Sequence, residues 1–378
     1  MVGIKYHLRF FNNIIPQIFV YVQSKTNIYI KNPFLTHCLP LPIIPAMASN
    51  LPILISSHFK ELITLAAAKK NESAVNALKK QVEYSAQEEH VLSYESQDPL
   101  GSSHFLVAPR LVHQYKNRCL LLSTGRCFSN CRYCFRRASP AKSFDLISEQ
   151  ELEDVCDYIL KHSYIEEILV SGGDIMTAPD DKIKQILQSL RKIHPSLLIR
   201  ICTRAPVFAP ERFTPELVTF FRSIKPLWLI PHINHSAELD AKTTACLERI
   251  IDTGIPVQSQ TVLLKGVNDS VQELSKLFNH LVKIGVKPGY LFMTDIAPGT
   301  AHFRTPLPEA LKLYEALKEE LSGLSLPVFA VDIPDGGGKF NLQQISADFM
   351  KYTVTKEDNW FTFTDKNGKV RRYPIEKD

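Results

Sequence analysis

Cys127-Phe-Ser-Asn-Cys131-Arg-Tyr-Cys134-Phe-Arg136-Arg137 puts three thiols within eight residues, at C-x3-C-x2-C spacing, directly after the apolar run Arg118-Cys-Leu-Leu-Leu-Ser-Thr124. A tetrahedral zinc site needs four ligands, and this loop supplies three. A 4Fe-4S cluster normally takes four cysteines, so a three-cysteine loop leaves one iron open to a ligand that is not protein. A zinc knuckle completed from elsewhere and three unrelated thiols are the competing assignments.

Downstream of the loop, strand-like runs recur at 118–124, 166–171, 197–203, 226–232, 256–263, 288–295 and 326–332, with helical patterns between them. Three helices carry start signals: the capping box Ser148-Glu-Gln-Glu151, proline at the first position in Thr214-Pro215, and Asp269-Ser270 before the stripe Val271, Leu274, Phe278, Leu281, Val282. Such alternation predicts a parallel sheet with crossover helices, doubly wound or closed towards a barrel. In these folds chemistry sits at the carboxyl ends of strands. Here the ends carry the cysteine loop, Ser171-Gly-Gly-Asp174, Thr203-Arg204, His232, Asp295 and Asp332. Upstream, Ser57 to Leu78 reads as one helical pattern, followed by a polar segment at 83–104. At the far end Trp360–Thr364, Asn367-Gly368 and Lys369–Tyr373 read as a β-hairpin.

The net charge of +5 is unevenly placed. Residues 1–46 hold Lys5, Arg9, Lys25 and Lys31 with no acid, and the remainder balances 40 cations against 39 acids. No concentrated basic surface for nucleic acid is expected. The apolar run Ile14–Val22 is short and broken by Pro16 and Gln17, so no membrane span is expected. Eight cysteines in a long, core-rich chain point to reduced cytoplasm rather than a disulfide framework, and Cys119, Cys156, Cys202 and Cys246 read as small buried hydrophobes. Composition favours translation starting at Met47. The expected division is a basic extension (1–46), a helical region (47–112), a core (113–325) and a C-terminal loop with hairpin (326–378).

After the last strand, Asp332-Ile-Pro-Asp-Gly336-Gly-Gly-Lys339 combines glycines that let backbone N–H groups approach a phosphate with a lysine able to condense with an aldehyde. Taken alone, the same residues suit a surface turn. The three-cysteine loop resembles the radical S-adenosylmethionine (SAM) superfamily, where SAM chelates the open iron. Together with Leu263-Leu-Lys-Gly-Val-Asn-Asp269, with Asp295 seven residues before His302-Phe-Arg-Thr-Pro306, and with Asp332 seven before Lys339, it resembles the lysine 2,3-aminomutase family from about Asp98 to Tyr373.

The resemblance implies a partial (β/α)6 radical-SAM barrel with an N-terminal helical preface and a C-terminal β-hairpin extension. It implies a 4Fe-4S cluster on Cys127, Cys131 and Cys134, SAM, and pyridoxal 5'-phosphate (PLP). It further implies migration of the amino group of L-lysine from Cα to Cβ. Lys339 matches the family's PLP lysine, Arg136 its carboxylate-binding arginine, and Asp295 with Asp332 its pair for the ε-ammonium. Ser171, Gly172, Gly173 and Asp174 match the stretch receiving the SAM amino group, with Asp174 as its anionic partner. Arg118 and Arg204 are candidates for the PLP phosphate, Tyr115 for stacking on the pyridine ring, and His232 and Gln260 for touching SAM. For His232 a satisfied core histidine competes. An electron donor such as flavodoxin or ferredoxin and a homo-oligomer are also expected.

Three positions depart from the pattern: Asp335 where many relatives have glycine, Gln114 where an arginine is expected, and Ser270 in place of a zinc-ligating cysteine, so no structural zinc is expected. Chain length leaves open the branch acting in elongation factor P β-lysylation. The departures leave open an iron-sulfur protein that has lost the chemistry.

Overall fold

In a computed structural model the described residues are 19–24, 27–31, 51–138, 142, 144–344, 353–357, 359–364 and 368–375. Residues 1–50 and 51–378 form separate compact units. The first contains an antiparallel pair, β1 (Phe19–Ser24) and β2 (Asn27–Lys31). The expectation of a start at Met47 falls on residues largely outside those described.

The second unit begins with two helices, α1 (Ser57–Ala68) and α2 (Glu72–Val82), where the sequence suggested one. Lys70 takes a left-handed φ of 55°, and the Asn71 side chain accepts a hydrogen bond from Ala74 N–H to start the second helix. A local cap thus outcompetes continued helix at the Lys-Lys-Asn junction. Short strands β3 (Leu106–Ala108) and β4 (Leu111–Tyr115), not foreseen, run antiparallel into β5 (Arg118–Thr124).

Next come α3 (Glu149–Lys161), β6 (Glu167–Gly172), α4 (Asp180–Ile193), β7 (Leu198–Thr203), the single turn α5 (Ala205–Phe208), α6 (Pro215–Ser223), β8 (Leu227–Pro231), α7 (Ala241–Asp252), β9 (Gln258–Val262), α8 (Val271–Lys283), β10 (Lys287–Phe292), α9 (Leu307–Glu320) and β11 (Val328–Ile333). Strands β5 to β8 are parallel neighbours, as are β9 to β11. Bridges at Leu229–Val257 and His232–Gln260 join the two groups. The outcome is a partial, open barrel. The foreseen starts hold: both arms of the Ser148/Glu151 capping box form, Thr214 caps α6 with Pro215 at its first position, and Ser270 caps α8. The buried faces are apolar, for example Leu274, Leu277, Phe278 and Leu281 of α8 against the sheet.

The Gly-rich segment is no free loop. It turns into β12 (Gly338–Asn341), antiparallel to β11, so that Lys339 stands directly opposite Asp332. β4 and β12 lie in different sheets among the described residues, and side chains bridge them: Tyr115 Oη accepts from Lys339 N–H (2.9 Å), and Gln114 Nε2 donates to Gly336 O (3.2 Å). The expected hairpin is a three-stranded sheet, β13 (Thr353–Glu357), β14 (Trp360–Thr364) and β15 (Val370–Pro374). Asn367, the proposed turn residue, lies outside the described residues. Tyr373 Oη donates to Thr294 O (2.9 Å) and Arg371 Nη1 to Pro334 O (3.0 Å), so the tail packs on the loops at the carboxyl ends of β10 and β11. Among the described residues no helix is long and apolar enough to cross a membrane.

Candidate active site

The cysteine loop is clamped by residues that look unremarkable in sequence. Glu88, from the polar segment, is buried and accepts hydrogen bonds from both Arg132 and Arg137. Arg132 also donates to Leu51 O (2.7 Å), and Arg137 to Gly299 O (3.1 Å). Glu95 holds Arg304 of the His-Phe-Arg-Thr-Pro motif in a second buried pair (2.8 Å). Breaking one partner of such a set leaves an uncompensated buried charge. Glu88→Gln is therefore expected to cost about 3–5 kcal/mol of unfolding free energy, read from urea denaturation. A change under about 1 kcal/mol would mean that the clamp contributes little.

Cys127, Cys131 and Cys134 are partly buried, and burial pushes the Cys127 thiol up to about 12 and raises that of Cys134. Among the described residues no three ligating side chains converge tightly enough to hold a single ion. Nitrogen donors face the sulfurs: Lys142 Nζ lies 3.2 Å from Cys127 Sγ, and Arg204 Nη1 lies 3.0 Å from Cys131 Sγ.

The Ser171–Asp174 stretch packs against the base of this loop. A Cβ on Gly173 would lie 2.2 Å from Arg126 O, and Asp174 N–H donates to that same carbonyl (2.7 Å). Gly173→Ala must displace backbone, and is expected to cost roughly 1–3 kcal/mol and to lower cluster content after reconstitution. A variant with wild-type melting and full iron content would refute this.

Two expectations are corrected here. Asp174 is not a free anion: its carboxylate accepts from Thr203 Oγ1 (2.7 Å), Arg204 N–H (2.8 Å) and Met176 N–H (3.1 Å), as a buried cap that ties β6 to β7. Arg204 does not face the cavity around Lys339. Its buried guanidinium pairs with Glu238 (2.9 Å) and Gln81 (2.7 Å) and turns its other edge to Cys131 Sγ (3.0 Å). His232 is satisfied by Asn234 Oδ1 (2.9 Å), its ring lies edge-on to Tyr133, and burial beside Arg204 lowers its pKa to about 3, so it is neutral.

At the other end, a cavity of about 190 Å³ is lined by Tyr115, Arg118, Arg200, Gln260, Asp332 and Lys339 among others. Lys339 Nζ sits 3.2 Å from Asp332 Oδ1 and 3.8 Å from the centre of the Phe292 ring, and burial lowers its pKa. Arg118 lies 3.9 Å over the Tyr115 ring and covers one face of it. Asp295 is pushed up to about 8 by burial and by the charge of Asp332. Arg136 is buried, and its pKa is lowered by that burial; Cys134, Asp98 and Asp295 all act on its charge. Among the described residues no carboxylate lies within ion-pair distance of it. One run of charges thus leads from Cys134 through Arg136, Asp295 and Asp332 to Lys339.

The glycine turn is held on all sides. A Cβ on Gly336 would meet the Phe105 ring at 2.6 Å, and one on Gly101 would meet Gly336 N at 2.7 Å. Asp335 adopts a left-handed φ of 55° with its side chain exposed near His104 and Lys369, so replacing glycine there leaves the turn's path intact.

Residues 121–278 match the Radical SAM superfamily. The chain is 50% identical over 321 residues to a putative L-lysine 2,3-aminomutase of Treponema pallidum, covering 85% of this chain and 90% of that one. It is 37% identical to the L-lysine 2,3-aminomutase of Acetoanaerobium sticklandii, covering 86% of this chain and 75% of that protein. The chain belongs to the lysine 2,3-aminomutase family. A further member, from Fusobacterium nucleatum, is 38% identical, with 69% of this chain matched to 62% of that protein. Family membership makes the chain an isomerase of the aminomutase class, and its radical SAM domain uses a 4Fe-4S cluster and SAM.

Cys127, Cys131 and Cys134 lie within the residues that match the Radical SAM superfamily. Glu88, Gln81, Glu238 and Lys142 were missed in sequence. Glu88 lay in a polar segment that reads as solvated, and its partners are 44 and 49 residues away.

Proposed function

We propose that this aminomutase is PLP-dependent and moves the amino group of L-lysine from Cα to Cβ to give L-β-lysine. The observation that supports this most is the pairing of Asp295 with Asp332 beside Lys339. Once Lys339 is engaged with the cofactor it no longer offers its ammonium to Asp332, and Asp295, raised by burial and by the Asp332 charge, stands beside it. A substrate ammonium between them restores the balance, whereas an acidic side chain would add a third negative charge. Arg136, buried and with no carboxylate in ion-pair range among the described residues, suits the substrate carboxylate, because a guanidinium grips one in bidentate fashion.

The cavity suits PLP on its own features: Tyr290 and Phe292 offer apolar walls, Arg118 offers positive charge for a phosphate, and Lys339 has a lowered pKa that favours the neutral amine. When bound, PLP supplies a carbonyl that captures the α-amino group, while SAM at the reduced cluster supplies the hydrogen-abstracting radical. Arg136 then fixes the backbone end of the substrate, Asp295 and Asp332 fix its far end, and Tyr115 anchors the lysine strand. Incubation of the reduced, reconstituted protein with SAM, PLP and L-lysine is expected to yield β-lysine by mass spectrometry. No product from free lysine, with turnover only of lysine carried on elongation factor P, would overturn the assignment.

A further inference from the structure

Each thiol of the cysteine loop receives an N–H donor, and the three donors come from different places. Cys134 accepts from the backbone of Arg136, Cys127 from Lys142, and Cys131 from Arg204. The first two belong to the same connection as the cysteines. Arg204 arrives from the end of β7, 73 residues away in sequence.

Arg204 is also the most constrained of the three. Its Nη2 donates to Gln81 Oε1 (2.7 Å) and Glu238 Oε1 (2.9 Å), and its plane packs 4.5 Å from the Phe208 ring and 5.6 Å from the Tyr133 ring. Gln81 Nε2 donates in turn to Glu238 (2.8 Å), and Asn234 Nδ2 ties Gln81 to Tyr133. These groups come from α2, the cysteine loop, β7 and the loop after β8. Held at one edge and packed on both sides, the guanidinium has no freedom to leave Cys131 Sγ.

We propose that Arg204 is a positioning residue that sets the reduction potential of the cluster, by holding an N–H against Cys131 Sγ and so favouring the reduced state. On one-electron reduction the cluster gains a negative charge that its sulfurs share, and a hydrogen-bond donor aimed at a ligand sulfur stabilises that state more than the oxidised one. A buried, low-dielectric setting strengthens the bond. Glu238 cancels the formal charge of the arginine, so the effect is carried by the directed N–H and not by a bare cation in the core.

The test compares the wild-type protein with the double variant Glu238→Gln, Arg204→Met, which removes the ion pair whole and leaves the net charge unchanged, each reconstituted with iron and sulfide without SAM. Each is titrated with dithionite in the presence of mediators and followed by electron paramagnetic resonance. Dithionite supplies the single electron, which enters the cluster; no bond is made or broken. The double variant is expected to show a reduced-to-oxidised ratio about tenfold lower at a fixed potential, a downward shift of about 59 mV for one electron. Arg204→Lys, which keeps a donor on a shorter fork, is expected to fall between. An unchanged midpoint in a double variant with full cluster content would overturn the proposal. Loss of the cluster from both arginine variants would overturn it as well, since Arg204 would then be needed for assembly and not for the potential.

Discussion

Replacing Lys339 with alanine is expected to abolish the absorbance band of protein-bound PLP and to lower turnover by at least about a thousandfold. The iron-sulfur spectrum should persist, because Lys339 contacts Asp332, Tyr115 and the rings of Tyr290 and Phe292 but none of Cys127, Cys131 and Cys134. That separation makes the experiment informative. Loss of both signals would indicate a folding defect, and an unchanged band with unchanged turnover would remove Lys339 from the chemistry. The variant also leaves Asp332 without its ammonium. The cost to stability should be modest, since both side chains keep some exposure to water.

Asp295→Asn should have opposite effects on stability and activity. The folded state holds the Asp295 proton up to about pH 8, well above the usual carboxylate range, through burial and the nearby Asp332 charge. A carboxyl group with a raised folded-state pKa favours folding at low pH, and that contribution is lost as pH rises towards the folded-state value. The wild-type protein should therefore lose stability between about pH 4 and pH 8 through this group. The amide removes the loss, for a gain on the order of 3 kcal/mol near pH 8, discounted for partial exposure and for the coupling to Asp332 and Lys339. Near pH 4 the two proteins should match. Lysine turnover should collapse, because one carboxylate of the pair no longer answers the substrate ammonium. Urea denaturation at both ends of that range checks the first claim, and equal slopes for the two proteins would defeat it.

These pairings bear on how far the chain could be read without coordinates. Parallel strands buried on both faces appear as near-continuous apolar runs, and all seven were visible, as were the caps at Ser148 and Thr214. The ends of those strands carry polar residues, some lining the cavity around Lys339 and others engaged by protein groups. What stayed hidden depends on partners distant in sequence. Asp174 and Arg204 both sit at strand ends, which suggests ligand binding, yet each is engaged by protein groups about thirty or more residues away. Glu88 lies in a stretch whose polarity suggests solvent, but two arginines draw it inside. Lys339 sits in a strand that three glycines disguise as a loop.

The seam between β4 and β12 bears on how the proposed PLP would reach Lys339. A sheet closed all round by a backbone ladder would admit a pyridine ring only after several cooperative bonds had broken. Here the lysine-bearing strand is fastened to β4 by the Tyr115 and Gln114 side chains, and parting two such bonds costs about 1 kcal/mol each. The proposed PLP would therefore meet side-chain contacts, and not a backbone ladder, on the β4 side of Lys339, with the parallel strands left standing.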